Sequence, residues 1–260
     1  MSFRFNLRRA YFVSGYAHTY EDLKKIQGIS YNHHDDSSVK DLDIVKAIPM
    51  MMRRRLNASG KMAVAVSMEA FRHFEIDKVI YASRTGETKR CISLLRDVRM
   101  DGGVSPTEFS ASVHNGNIGV FSIINGFHGE TTAVSAAENT LGAALAEAYA
   151  SLYGEGRSRV LVVIYEEDLS NNIMPIPQKV FYNGSFACAL VLEKWQADVS
   201  SVDDFLAAES AGGEASDVAP EHYFEFDYVR DGCTDPVDFF RELKFVNPDE
   251  DEKHEAERES

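Results

Sequence analysis

Ser105-Pro106-Thr107-Glu108-Phe109-Ser110-Ala111-Ser112-Val113-His114-Asn115-Gly116-Asn117-Ile118-Gly119, with Gly129-Glu130-Thr131-Thr132-Ala133-Val134-Ser135-Ala136-Ala137-Glu138-Asn139-Thr140 ten residues further on, carries most of the architectural information in this 260-residue chain. Asp101-Gly102-Gly103 and Pro106 break the helical pattern that precedes them. From Phe109 to Phe127, the apolar residues Val113, Ile118, Phe121, Ile123 and Ile124 predict a further helix. Thr132 to Val134 predicts a very short strand that feeds a helix running from Ala136 to Leu152. Along that helix Ala137, Gly142, Ala144 and Ala148 are small, which implies that neighbouring elements approach it closely and that it lies inside the layers.

Outward from this centre, helical and strand periods alternate. Tyr11 to Tyr16 reads as a strand. Lys61 to Phe74 reads as a largely buried helix, because Met62, Ala63, Ala65, Val66, Ala70 and Phe71 wrap most of its circumference. Val79 to Ala82 is a short buried strand, and Cys91, Leu94, Leu95 and Val98 give Thr88 to Val98 a helical pattern. Val160 to Tyr165 and Phe186 to Leu192 are continuous apolar runs, as expected of strands covered on both faces. Pro175, Pro177 and Asn183-Gly184 mark loop and turn between them. The alternation predicts an α/β layered fold with a mixed sheet. After Trp195 the texture changes. Residues 196–247 read as an acidic linker with a short strand (Tyr223 to Tyr228) and a short helix (Pro236 to Leu243), and residues 248–260 as a disordered acidic tail.

The 41 acidic and 27 basic residues leave a net charge of −14. Residues 196–260 hold 20 acids and 5 bases, whereas residues 1–195 hold 21 acids and 22 bases. The body therefore lacks the basic surplus that nucleic-acid binding requires. Cys91, Cys188 and Cys233 are far apart and odd in number, and make neither a zinc spacing nor a disulfide framework. No apolar run approaches the roughly 18 residues of a membrane helix, and the segment after Arg8-Arg9 is too short and polar for a secretory signal. The expected setting is cytoplasmic, with no nucleic acid, no membrane insertion, no metal and no cofactor.

The quoted segments, with Ser122-Ile123 between them and the apolar strand that follows, resemble the β-ketoacyl synthase-like N-terminal domain family, short relatives of the ketosynthases and chain-length factors of fatty-acid, polyketide and aryl-polyene clusters. The resemblance covers roughly Arg9 to Leu192 within a domain of residues 1–195, and implies a thiolase-like fold of which this chain carries the N-terminal half. An active ketosynthase of that fold places a nucleophilic cysteine at the start of a buried helix, where the amides and macrodipole favour a thiolate. Here the matching stretch, Val134-Ser135-Ala136-Ala137-Glu138, has alanine (Ala136 or Ala137) where the thiol would sit. The second half, which supplies two histidines to the thioester in active enzymes, has no counterpart after Trp195, where only His222 and His254 occur. The resemblance thus implies a noncatalytic, chain-length-factor-like accessory. Its partners would be a ketosynthase subunit or a second copy, met through the apolar face left uncovered, with an acyl carrier protein as a further partner.

The individual residues admit two readings each. Ser135 could be the nucleophile of a small serine hydrolase or acyltransferase acting on acyl thioesters, with His114 as base and Glu138 as orienter. Ser135-Ala136-Ala137-Glu138 is also an S-x-x-E capping box, which needs only local geometry, and no G-x-S-x-G elbow is present. Capping is the favoured reading. Ser112, His114 and Asn115 line an acyl or partner surface by resemblance, or are helix-end residues bonded to backbone. Tyr81 to Gly86 lacks the spaced glycines and lysine of a phosphate loop. His33-His34-Asp35-Asp36 lacks a matching metal-ligand set, so a solvated loop is expected. Arg53-Arg54-Arg55 beside Met50 to Met52 could meet an acidic carrier, or be a solvated face.

Overall fold

The computed structural model describes residues 2–14, 28–32, 39–169, 185–195 and 223–227. The expected loop at Pro175 and Pro177, the Asn183-Gly184 turn, the helix at Pro236, the tail from Pro248 and the His33–Asp36 loop lie outside the described residues.

A mixed seven-stranded sheet organises the chain. Its strands are β1 (Ser2–Ser14), β2 (Gly28–Asn32), β3 (Lys78–Ala82), β4 (Glu130–Val134), β5 (Arg159–Glu166), β6 (Phe186–Lys194) and β7 (Tyr223–Asp227). They are ordered β2-β1-β6-β5-β3-β4, with β7 also on β1. β3, β4 and β5 are mutually parallel, while β6 is antiparallel to both β5 and β1. β7 pairs with Ser2–Asn6 and β2 with Ala10–Ser14, so the two share one edge of the long first strand.

Side-chain alternation along the strands splits the core in two. Val160, Val162 and Ile164 join one cluster, while Leu161, Val163 and Tyr165 join the other. That is why β5 reads as an unbroken apolar run: both of its faces are covered. β1 keeps the same logic across a register shift between Leu7 and Arg9, a bulge whose extra residue leaves Phe3, Phe5 and Leu7 on the same face as Ala10 and Phe12.

One face is covered by the helix α7 (Thr140–Tyr153), which buries Leu141, Gly142, Ala144, Leu145 and Ala148. The other is covered by α3 (Ala58–His73), which buries Met62, Ala63, Ala65, Val66 and Ala70 as its pattern predicts. Asn57 caps α3 by accepting from the Gly60 amide at 2.6 Å. A side chain at Gly60 would meet Asn117 Oδ1 at 2.6 Å, so only glycine lets this helix approach its neighbour. Short helices α1 (Asp43–Lys46) and α2 (Met50–Arg53) precede it, tucking Ile44, Val45 and Ile48 against the core. The remaining helices are α4 (Thr88–Asp101), α5 (Pro106–Ser110) and α6 (Gly116–Asn125).

Three sequence expectations change here. The helix expected from Phe109 to Phe127 is two helices, α5 and α6. Ser110 and Ser112 donate to the carbonyls of Thr107 and Phe109 at 2.8 Å, and such local bonds compete with continuation of the helix. The α4 stripe is turned outward: Leu94 is buried, but Leu95 is 70% and Val98 51% exposed. The helix expected from Ala136 begins at Thr140, after a 3-10 turn over Ala137–Asn139.

Candidate functional site at the end of the fourth strand

The carboxyl ends of parallel strands are where α/β folds place their ligands. At the end of β4 the chain turns through Ser135 and Ala136 into α7, and the turn is held at Ala137. Its φ of +49° makes it the only non-glycine residue with positive φ among the described ones. For a residue bearing a Cβ this conformation costs roughly 1–2 kcal/mol, so the surroundings must impose it. They do so through its carbonyl, which accepts from Thr140 Oγ1 at 2.7 Å and from Arg84 Nε at 3.2 Å. Thr140 Oγ1 also accepts from the Ala136 amide at 3.0 Å. A strained strand-to-helix turn of this kind exposes one side chain at the top of the sheet, the arrangement that presents a nucleophile in elbow-type enzymes. The side chain presented here is an exposed methyl group.

The loop supplying Arg84 is fixed from β5. Glu166, 1% exposed, accepts from Thr85 Oγ1 at 2.6 Å, the Thr85 amide at 3.1 Å and Ser83 Oγ at 3.2 Å, and by a short bond from the Arg84 amide. Burial pushes its carboxyl above the ordinary range, and the hydrogen bonds from Thr85 and Arg84 oppose the shift. The neighbouring Glu87 is also buried, held by Asn117 Nδ2 at 2.9 Å and Arg90 Nε at 3.2 Å. Glu167 accepts from Asn57 Nδ2 at 3.1 Å. These carboxylates are occupied with positioning loops and helix ends.

The structure brings some sequence-selected residues together and keeps others apart. His114 is half-buried and bonds through Nε2 to the carbonyl of Val134 at 3.0 Å. A carbonyl only accepts, so this nitrogen carries the proton. The histidine ties the α5–α6 connection to the end of β4, the backbone-bonding role anticipated as its plainer reading. Gly86, at φ +53°, leaves room for its ring, since a Cβ there would lie 2.7 Å from Nδ1. The exposed Ser135 donates to the Arg84 carbonyl at 3.5 Å, not to His114, and Glu138 is exposed. The hydrogen bonds of the site therefore do not link Ser135, His114 and Glu138 into a relay. Nor does the capping box form: the 3-10 turn is entered at Ala136 with no side-chain cap, and the local bonding falls to Thr140. Turning at Ala137 takes the following amides out of line with the Ser135 hydroxyl. Ser112 is half-buried and donates to Phe109, while Asn115 is exposed at the start of α6.

Arg84, Thr140 and Glu166 were not singled out by sequence reasoning. Thr140 closes the quoted motif and Arg84 stands in the Ser-Arg-Thr-Gly loop, but only the fold joins them. Among the described residues, no group of three or more His, Cys, Asp or Glu side chains gathers to hold a metal ion, and no helix is long and apolar enough to cross a membrane. An open cleft of about 530 Å³ lined by Asn6, Tyr153, Arg157, Glu193 and Lys194 lies at the opposite end of β5, away from the turn.

Comparison with known proteins places the chain. One structure, a ketosynthase (ApeO) in complex with its chain length factor (ApeC) from Xenorhabdus doucetiae, matches at 30% identity and a TM-score of 0.53, over 57% of this chain and 62% of that one. The ishigamide ketosynthase/chain length factor matches at 16% identity and a TM-score of 0.50, over 62% of this chain and 49% of that one. A type II acyl-carrier protein in complex with its ketosynthase bound to the hexaketide (AntDE:AntF) matches at 14% and 0.54, over 80% of this chain and 66% of that one. The match spans less than two thirds of the length of each of these chains. No curated protein matches. The model of the β-ketoacyl synthase N-terminal domain matches residues 30–225, which cover the turn, both helical layers and the whole of strands β3 to β6, so this chain belongs to the β-ketoacyl synthase N-terminal domain family.

Proposed function

We propose that this chain is a noncatalytic, chain-length-factor-like partner of a ketosynthase subunit, serving acyl chains carried on an acyl carrier protein in an aryl-polyene, polyketide or fatty-acid type of assembly. The observation that carries the reading is Ala137. The turn is built and strained as a nucleophile position, yet its side chain can neither attack a thioester nor hold an acyl group. The relatives at 30% identity and below include ketosynthase and chain length factor pairs, which is consistent with a role beside a catalytic subunit.

Two surface features favour a protein partner. β4 bonds only to β3 among the described residues, which leaves a sheet edge open to pairing. Leu95, Val98, Phe109, Val113 and Ile123 are also exposed, apolar side chains that a protein partner could cover. An acidic carrier is favoured by the cations of residues 39–61, where six bases meet two acids.

Incubation of the purified chain with an acyl thioester, followed by intact mass and peptide mapping, tests the reading. The wild type is expected to carry no acyl adduct on Cys91, Cys188 or Cys233 and to release no free acid. Ala137→Cys is expected to gain an adduct, because the turn at the head of α7 favours a thiolate. A wild-type adduct, or hydrolysis that Ser135→Ala abolishes, would sink the noncatalytic reading in favour of an acyltransferase or hydrolase.

A further inference from the structure

The cations at the start of the α3 layer are uncompensated. Lys40, Arg53, Arg54, Arg55 and Lys61 make no ion pair among the described residues, whereas Lys46, on the same segment, pairs with Asp43 at 3.2 Å. Arg54 meets only the sulfur of Met50, at 3.9 Å. Their mutual proximity registers on Lys61: half-burial lowers its proton affinity first, and the charges of Arg53 and Lys40 lower it further. Met50 and Met51, 55% and 69% exposed, stand among them. Residues 1–195 as a whole are almost neutral, so these five cations form a local positive excess.

The same chain carries the counter-charge. Residues 248–260 hold seven acids and two bases, with no apolar side chain larger than alanine beyond Pro248. β7 ends at Asp227 beside Ser2, at the far end of β1 from the cations. Asp249 lies 22 residues further on, a reach of ~70 Å at full extension and ~60 Å with the helix expected over Pro236 to Leu243, while a folded body of this size is about 40 Å across. The length is sufficient to span the body, and attachment to the same chain raises the local concentration of the acids at these cations.

We propose that the acidic C-terminal segment, residues 248–260, docks in cis on the basic surface formed by Lys40, Arg53, Arg54, Arg55 and Lys61. There it competes with any acidic partner for those cations. The competition with a carrier protein rests on the function proposed above; the docking itself does not. Contact is electrostatic, and so weakens as salt screens it.

Carbodiimide treatment of the full chain, which joins amines to carboxylates in contact, reads the docking directly. Lys46–Asp43 serves as an internal control. The expected product joins Lys40 or Lys61 to an acid between Asp249 and Glu259 at monomer mass, and it is lost at about 0.5 M salt. Absence of that link while the control forms, or its appearance only between two chains, would overturn docking in cis. A second measurement titrates labelled poly-glutamate into the full-length wild type and into the full-length variant Asp249→Asn/Glu250→Gln/Asp251→Asn/Glu252→Gln. The variant is expected to bind about tenfold more tightly, and adding Arg53→Glu/Arg54→Glu/Arg55→Glu should abolish the gain. Equal affinities overturn the proposal. If an acyl carrier protein fails to bind either form while the crosslink is present, the carrier reading fails and the docking stands.

Discussion

At the carboxyl end of β5, Glu166 is buried among neutral donors, whereas at the amino end of β3, Lys78 is buried among carboxylates. Lys78, 1% exposed, contacts Glu130 at 2.7 Å, Glu147 at 2.9 Å and Glu155 at 3.6 Å, and Arg157 reaches Glu130 at 3.2 Å. Burial opposes the ammonium, but the bonds from Glu130 and Glu147 outweigh it and raise its pKa. Glu130 moves the other way: the Lys78 bond holds its carboxyl below the ordinary range. The amino end is thus an ion-pair network with half-solvated partners. The carboxyl end is a set of fixed donors around one carboxylate, and it shapes the loop that restrains Ala137. Charge at one end fastens β3, β4 and α7 together; at the other it positions a turn.

The sharpest way to break this contrast is Glu166→Ala. Ser83 Oγ and the amides of Arg84 and Thr85 would face empty volume, and the expected loss is about 3 kcal/mol or more by urea denaturation. A loss below about 1 kcal/mol would mean that the 83–86 loop holds its shape without the carboxylate. Next comes Ala144→Phe, which drives a ring into a fully buried position between α7 and the sheet. Overpacking should cost about 1–3 kcal/mol. A variant as stable as the wild type would show that α7 is not seated on the strands.

The two ends also predict opposite pH limbs. A carboxyl with raised folded pKa contributes stability that is full below its unfolded value of 4.5 and is lost as pH rises through the folded value. One with depressed folded pKa contributes stability that is present above 4.5 and is lost as pH falls through the folded value. Stability curves of Lys78→Met should therefore flatten on the acid side, and those of Glu166→Gln on the side above 4.5. Flattening on the same side in both variants would erase the distinction.

How much of this the sequence disclosed follows from the range of the contacts. The layers were legible because Val160 to Tyr165 and Phe186 to Leu192 carry apolar residues at every position, a local signal of double burial. The buried face of α3 was legible for the same reason. The turn was not, because its restraints come from afar: Arg84 reaches Ala137 across 53 positions and Glu166 reaches Arg84 across 82. Ser135 through Glu138 satisfies a capping pattern letter by letter, but a backbone reversal at Ala137 cannot be read from four letters. On α4, helical spacing correctly gave the helix, but the stripe of Leu95 and Val98 faces outward. Periodicity identifies an apolar face without saying whether this chain or another covers it.

Two substitutions at the turn refine which hydroxyl matters. Thr140→Val removes the donor to Ala137 and the acceptor for Ala136, and should cost about 1–2 kcal/mol. Ser135→Ala should stay within about 0.5 kcal/mol, because its one bond is long and exposed. The reverse order would restore the capping box.

The smallest expected effect is the most specific. Alanine to glycine in a regular helix costs roughly 0.8–1.0 kcal/mol, since glycine loses more backbone freedom on folding. At Ala146, within α7, Ala→Gly should cost about that much in chemical denaturation. At Ala137 the same entropic loss is offset by relief of the positive φ, roughly 1–2 kcal/mol for a residue with a Cβ. Ala137→Gly should therefore be neutral or slightly stabilising. A full helical penalty there would mean that Ala137 is not strained in solution, and the case for an inherited nucleophile position would lose its structural basis. Neutrality at Ala137 beside a cost at Ala146 would leave a turn that the rest of the fold holds in shape around a side chain unable to react.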